Sequence, residues 1–144
     1  MNIFFEHNVP FNRSNFRELR GIVGLYFIYL DENFIKYPFK ESRLLYIGMS
    51  KSKANSIEKR LLNHYDGDSS NIGIYNYRSS EVLKYTYLNF DMITKIWPLK
   101  ISDFESFLIH DFARHFGNHP ICNNQMPLIN KEHPQIVINW EFFD

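Results

Sequence analysis

The sequence predicts an α/β (α+β) domain, and three observations carry that prediction. Two short runs rich in aromatic and branched residues read as a pair of strands, a later apolar stripe has helical spacing, and a long amphipathic segment is bounded by helix start and stop residues. In chain order these give strand, strand, helix, strand, helix and a terminal strand. The 144 residues fit one domain, 1–144, with no internal repeat, low-complexity tract or linker to divide it.

Ser14 to Leu19 opens with a capping residue and predicts a short helix that Gly21 breaks. Leu25–Leu30 and Leu44–Ile47 are the two aromatic-rich strands, and the polar loop between them, with Pro38, suggests an antiparallel hairpin. From Ala54 to Tyr65 the residues Ile57, Leu61 and Tyr65 recur every fourth position, and the run from Asp66 to Asn71 ends that helix. Val82–Phe90 reads as a third strand, with Val82, Lys84 and Thr86 on one face and Leu83, Tyr85 and Tyr87 on the other. Ser102 to Phe116 is the clearest helix, with Ser102 as cap, Asp103 in the first turn and Gly117 as its stop. An irregular segment follows, and Pro134–Phe143 reads as a last strand.

Composition narrows the function classes. Apolar residues at 44% and aromatics at 17% indicate a globular chain with an aromatic core rather than a disordered one. The longest apolar stretch, Ile22–Leu30, is far short of the ~20 residues that span a bilayer. The first residues lack a basic region and a cleavage site, so a cytoplasmic location is expected. Cys122 stands alone, which excludes an internal disulfide and the usual cysteine-based zinc sites. Sixteen basic residues balance sixteen acidic ones, so any grip on nucleic acid has to come from charge placed locally in a cleft rather than from net charge.

Several residues are candidates for chemistry. Arg60 and His64 are four apart on one helix, about 40° from each other. A forked guanidinium beside an imidazole suits a phosphate, although taken alone the pair is more simply a solvated arginine and a surface histidine. Glu105 falls within the apolar stripe of its helix, where a carboxylate must be paired, metal-bound or protonated. The pattern Ser102-Asp103-Phe104-Glu105 also matches a capping box, in which Glu105 would bend back to Ser102. Tyr26 and Tyr46 could be ordinary strand aromatics, and Asn123 and Asn124 ordinary turn residues. His110, His115 and His119 form a rival metal set, but His110 and His115 lie about 140° apart on the helix. There is no P-loop and no nucleophile elbow.

Taken in order, these positions resemble the GIY-YIG nuclease family. Gly24-Leu25-Tyr26 stands at the first half-motif, with Leu25 for the namesake isoleucine, and Tyr46-Ile47-Gly48 reproduces the second. Arg60 and His64 match the family's helix, Glu105 its metal-binding glutamate, and Asn123 or Asn124 its downstream asparagine. The resemblance covers about residues 21–125 and leaves 1–20 and 126–144 as flanks. It implies a central antiparallel three-stranded sheet flanked by helices, here with an added C-terminal strand.

The activity implied is divalent-metal-dependent endonuclease cleavage of DNA, a phosphodiester hydrolysis with Mg²⁺ (or Mn²⁺). Glu105 would hold the metal, and Arg60 would stabilise charge on the phosphoryl oxygens. Tyr26, with His64, would take the proton of the attacking water, Tyr46 would orient water or metal, and Asn123 completes the implied catalytic set. Gly48, Lys51 and Asn124 are the expected substrate contacts. The stretch between the half-motifs is longer than the family's, and its Lys36, Lys40 and Arg43 make it either a substrate contact or a surface excursion. No separate DNA-binding module is visible, so targeting would fall to that loop, the flanks, a homodimer or a partner protein. The alternative is a non-catalytic module that keeps the fold to bind nucleic acid or protein; in that case Glu105 would be spent on Ser102.

Overall fold

β3 (Gly24–Leu30) is the centre of the structure, a computed structural model that describes all 144 residues. Every residue of this strand is buried. It pairs antiparallel with β6 (Leu44–Ser50) on one side and with β7 (Leu83–Asn89) on the other. The two-residue β2 (Val9–Pro10) adds to the outside of β7 and completes a four-stranded antiparallel sheet, order β2-β7-β3-β6. The predicted hairpin and third strand are thus present, and β2 is an addition that two residues could not announce in the sequence.

Alternation along β3 divides the interior. Leu25, Phe27 and Tyr29 point to one face, where they meet Phe104, Leu108, Phe112 and Phe116 of α5 (Ile101–Phe116). Tyr26, Ile28 and Leu30 point to the other, against Ile57 and Leu61 of α2 (Ile57–Asp66). Each large apolar side chain buried this way contributes roughly 1.5–3 kcal/mol. Both helices stop at a glycine in the left-handed region, Gly67 at φ 78° and Gly117 at φ 91°.

Three elements differ from expectation at their boundaries. The first short helix, α1 (Arg13–Phe16), is capped by the Asn12 side chain rather than by Ser14, and continues as a 3-10 turn to Leu19. The long helix begins at Ile101 with Lys100 as its cap residue, so Ser102 lies inside the first turn and makes no capping box with Glu105. The expected C-terminal strand shrinks to β8 (Val137–Ile138), which pairs parallel with β1 (Asn2–Ile3) outside the main sheet and leads into a 3-10 turn, Trp140–Phe143. Its aromatic residues are drawn under the sheet: Phe143 is fully buried and Trp140 nearly so.

Two elements were not foreseen. α3 (Ile72–Ser80) follows α2 directly, and α4 (Phe90–Ile93) follows β7. α3 buries only Ile74, so it lacks the apolar stripe by which a helix is recognised in sequence. The loop between the half-motifs folds into a small hairpin, β4 (Ile35–Lys36) with β5 (Glu41–Ser42). Two of its three cations serve the fold, Lys40 lying 4.6 Å over the Phe116 ring and Arg43 donating to the carbonyls of Leu30, Asp31 and Phe142, while Lys36 is exposed. No helix is long and apolar enough to cross a membrane.

Candidate active site

Three elements converge beside the end of the hairpin. Tyr46 from β6, Arg60 from α2 and Glu105 from α5 line one cavity of about 300 Å³ with Lys51, Ser52 and Asn55 of the loop that follows β6. Glu105 is partly exposed and makes neither a hydrogen bond nor an ion pair to any protein group. Burial pushes its carboxyl up to about 7, while Arg60 and Lys51 pull it back down.

Arg60 is held at one end and open at the other. Its Nε donates to the Tyr26 hydroxyl across a long 3.4 Å, and no protein acceptor engages its two terminal nitrogens. The fork of the guanidinium therefore remains available to a phosphate.

Tyr26 lies behind this surface. It is fully buried, and the register that sets Tyr26 opposite Gly48 explains how: a Cβ on Gly48 would overlap the tyrosine ring. Gly48 is thus a space-maker for Tyr26 rather than a surface offered to substrate. The phenol that faces the cleft is Tyr46, which lines it at a ring separation of 6.0 Å from Tyr26. The implied direct contact between Tyr26 and a cleft water is not what the burial of Tyr26 provides. Burial raises both phenols well above their ordinary value, and the charge of Glu105 raises Tyr46 further.

A chain of hydrogen bonds runs from Tyr26 away from Glu105. The Tyr26 hydroxyl is 2.9 Å from His64 Nε2, and His64 Nδ1 is 2.9 Å from Ser69 Oγ. The buried phenol proton has His64 Nε2 as its acceptor, which assigns the single N–H of the neutral imidazole to Nδ1 and makes Ser69 Oγ its acceptor. Ser69 Oγ also accepts the Asn71 N–H at 3.2 Å, and the Asn71 side chain donates to the Cys122 carbonyl. His64 is buried, not a surface residue, and burial aided by Arg60 pushes its pKa down to about 4, so the imidazole is neutral at physiological pH.

Asn123 is committed elsewhere. Its side chain accepts from Ile47 N–H at 3.0 Å and donates to Ile47 C=O at 2.9 Å, closing the outer edge of β6 as a strand neighbour would. This fixes the segment after α5 against the half-motif strand and engages both the oxygen and the nitrogen of the Asn123 amide. Its neighbour Asn124 is exposed and lines a second cavity that shares Tyr46 and Arg60 with the first.

Of the residues singled out in the sequence, Tyr46, Lys51, Arg60 and Glu105 meet around one cavity, Tyr26 and His64 stand directly behind it, and Gly48 and Asn123 shape its wall. The rival histidines are scattered: His110 donates to the Pro127 carbonyl, His119 contacts the Pro120 carbonyl, and His115 lies 3.7 Å from Asp111. Ser69, Asn71 and Asn63 escaped notice because the run after α2 signals only a helix end, and a hydroxyl five residues beyond His64 has no pattern of its own. No family model, curated protein or solved structure matches this chain.

Proposed function

We propose that the protein is a divalent-metal-dependent endonuclease that hydrolyses phosphodiester bonds in DNA, built on a GIY-YIG-type domain. Glu105 carries this reading. Its carboxylate is not consumed by a cap, as the non-catalytic alternative requires, and it shares a solvent-accessible cavity with Arg60 and Tyr46. The two half-motif strands lie side by side at the middle and edge of the sheet, which suits the fold the resemblance implies.

Mg²⁺ (or Mn²⁺) fits the donor set. Such hard cations keep several waters and take one or two carboxylates together with phosphate oxygens, and Glu105 offers a carboxylate free of protein partners. The ion would supply Lewis-acid charge for the phosphoryl group and for the leaving 3′ oxygen. Arg60 meets the phosphoryl oxygens with its open fork and stabilises the charge that grows there. Tyr26 keeps Arg60 aimed by accepting its Nε–H, and neutral His64 takes the phenol's hydrogen bond.

Tyr46, the cleft-facing phenol, orients the attacking water. Burial favours the protonated Tyr46 phenol and the charge of Arg60 opposes that shift, so the water's proton passes to the Tyr46 oxygen in the fraction of molecules that hold it as phenolate. One cleft cuts one strand, so duplex cleavage takes a homodimer, a partner protein or two successive cuts.

The test is incubation of the purified protein with supercoiled, linear and branched DNA, with and without Mg²⁺, beside a folded Glu105→Ala variant. Metal-dependent cutting that disappears in Glu105→Ala is expected. Absence of cutting of every DNA by the folded wild type would overturn the reading in favour of a binding module.

A further inference from the structure

The second cavity, about 280 Å³, is near the small end of the ~300–1,000 Å³ typical of small-molecule sites and lies across Tyr46 and Arg60 from Glu105. Its frame is rigid. The His64–Ser69–Asn71 chain forms its back, and the Asn71 bond to the Cys122 carbonyl ties the loop after α2 to the segment after α5. His64 and Asn71 are buried and fully engaged. The side chains of Asn63, Ser70 and Asn124 also line the cavity, and none of them has a protein partner.

The chemistry of this lining is that of a reader of neutral hydrogen-bonding groups. It holds no lysine, and the carboxylate of Asp68 opposes a second phosphate. Two side-chain amides offer paired donors and acceptors, the groups that match base edges. The cation that suits a phosphate, Arg60, stands at the junction with the first cavity.

We propose that this cavity takes the nucleobase of the nucleotide adjoining the cleaved phosphate, with Asn63 and Asn124 hydrogen-bonding its edge. The inference rests on the nuclease reading and adds a substrate class to it. A base enters such a pocket only when it leaves the stack, at least cost where it is already unpaired. The preferred substrate is therefore DNA with an unpaired nucleotide beside the cut.

The test uses three otherwise identical duplexes that carry, at one position, a bulged 2-aminopurine, a 2-aminopurine paired with thymine, or a bulged abasic residue. Binding is measured by anisotropy with the full-length Glu105→Ala protein in the absence of metal, and 2-aminopurine emission reports the environment of the base. The bulged base is expected to bind roughly 5- to 150-fold more tightly than the abasic bulge, with a change in emission. Adding Asn63→Ala or Asn124→Ala, each checked for an unchanged melting temperature, should erase that preference. Equal affinity for bulged base and abasic bulge would overturn the proposal, as would a preference that survives both substitutions. Selective binding of the bulged base by a wild-type protein that cuts no DNA would uphold the pocket and sink the nuclease reading.

Discussion

The two faces of β3 are built from the same strand and could hardly differ more. Toward α5, Leu25, Phe27 and Tyr29 enter a dry cluster of aromatics in which Phe112 stacks on Phe116 at 4.2 Å and meets Trp140 edge-on at 5.3 Å. Toward α2, Tyr26 enters a cluster that also contains a buried hydrogen-bond chain through His64 to Ser69. One face places its residues mainly by volume, with isolated polar tips satisfied singly, as Trp140 Nε1–H is by the Asp111 carboxylate. The other places them by satisfied donors and acceptors, a costlier way to fill an interior and one that aims Arg60 at the cleft. Alternate residues of a strand can thus divide between stability and chemistry.

The sharpest way to break this contrast is to truncate each face in turn. Phe112→Ala should cost about 3–5 kcal/mol of stability, because it empties a well-packed aromatic site. Urea unfolding checks it, and a loss below 1 kcal/mol would mean the α5 face is not the main source of stability. Arg60→Ala should do the reverse: a cleavage rate lower by ~10²–10³, as for loss of one oxyanion donor, with a melting temperature close to wild type. Comparable damage to stability would make Arg60 part of the core rather than of the cleft.

Gly48→Ala probes the seam between the two roles. A methyl there overlaps the Tyr26 ring, so about 1–3 kcal/mol of overpacking is expected, together with reduced activity as Tyr26 and Arg60 shift. A fully active Gly48→Ala protein would show that the register of Tyr26 is unimportant.

On the α2 face a pH dependence is also expected. His64 is depressed to about 4 in the folded chain, against ~6.5 when unfolded. Its contribution to stability is therefore complete above pH 6.5 and is lost as the pH falls from there through 4. Unfolding midpoints compared between wild type and His64→Gln should converge over that range, and parallel curves would contradict the assignment.

The same contrast explains what could be read from the sequence. The α5 face was legible because bulk repeats with a period: the stripe from Phe104 to Phe116, closed by Gly117, is a helix whatever surrounds it. β3 and β6 were legible from their aromatic and branched residues, and β7 from its alternation. α3 was not, since it buries one residue, and the C-terminal strand was overdrawn because its aromatics pack as a turn beneath the sheet. On the α2 face, residue types were visible but not their depth. That Tyr26 is closed in while Tyr46 looks out depends on the cross-strand pairing with Gly48, and Ser69 and Asn71 gain meaning only from a loop geometry that no spacing encodes. The capping box failed on a shift of the cap from Ser102 to Lys100, which released Glu105.

Everything proposed for the cleft depends on that release, and the ionisation of Glu105 reports it directly. A carbon-13 NMR titration of its carboxyl, with and without Mg²⁺, should show a midpoint about pH 7 in the free protein that drops when the metal is added. A midpoint at the ordinary carboxylate value, unmoved by Mg²⁺, would contradict the account.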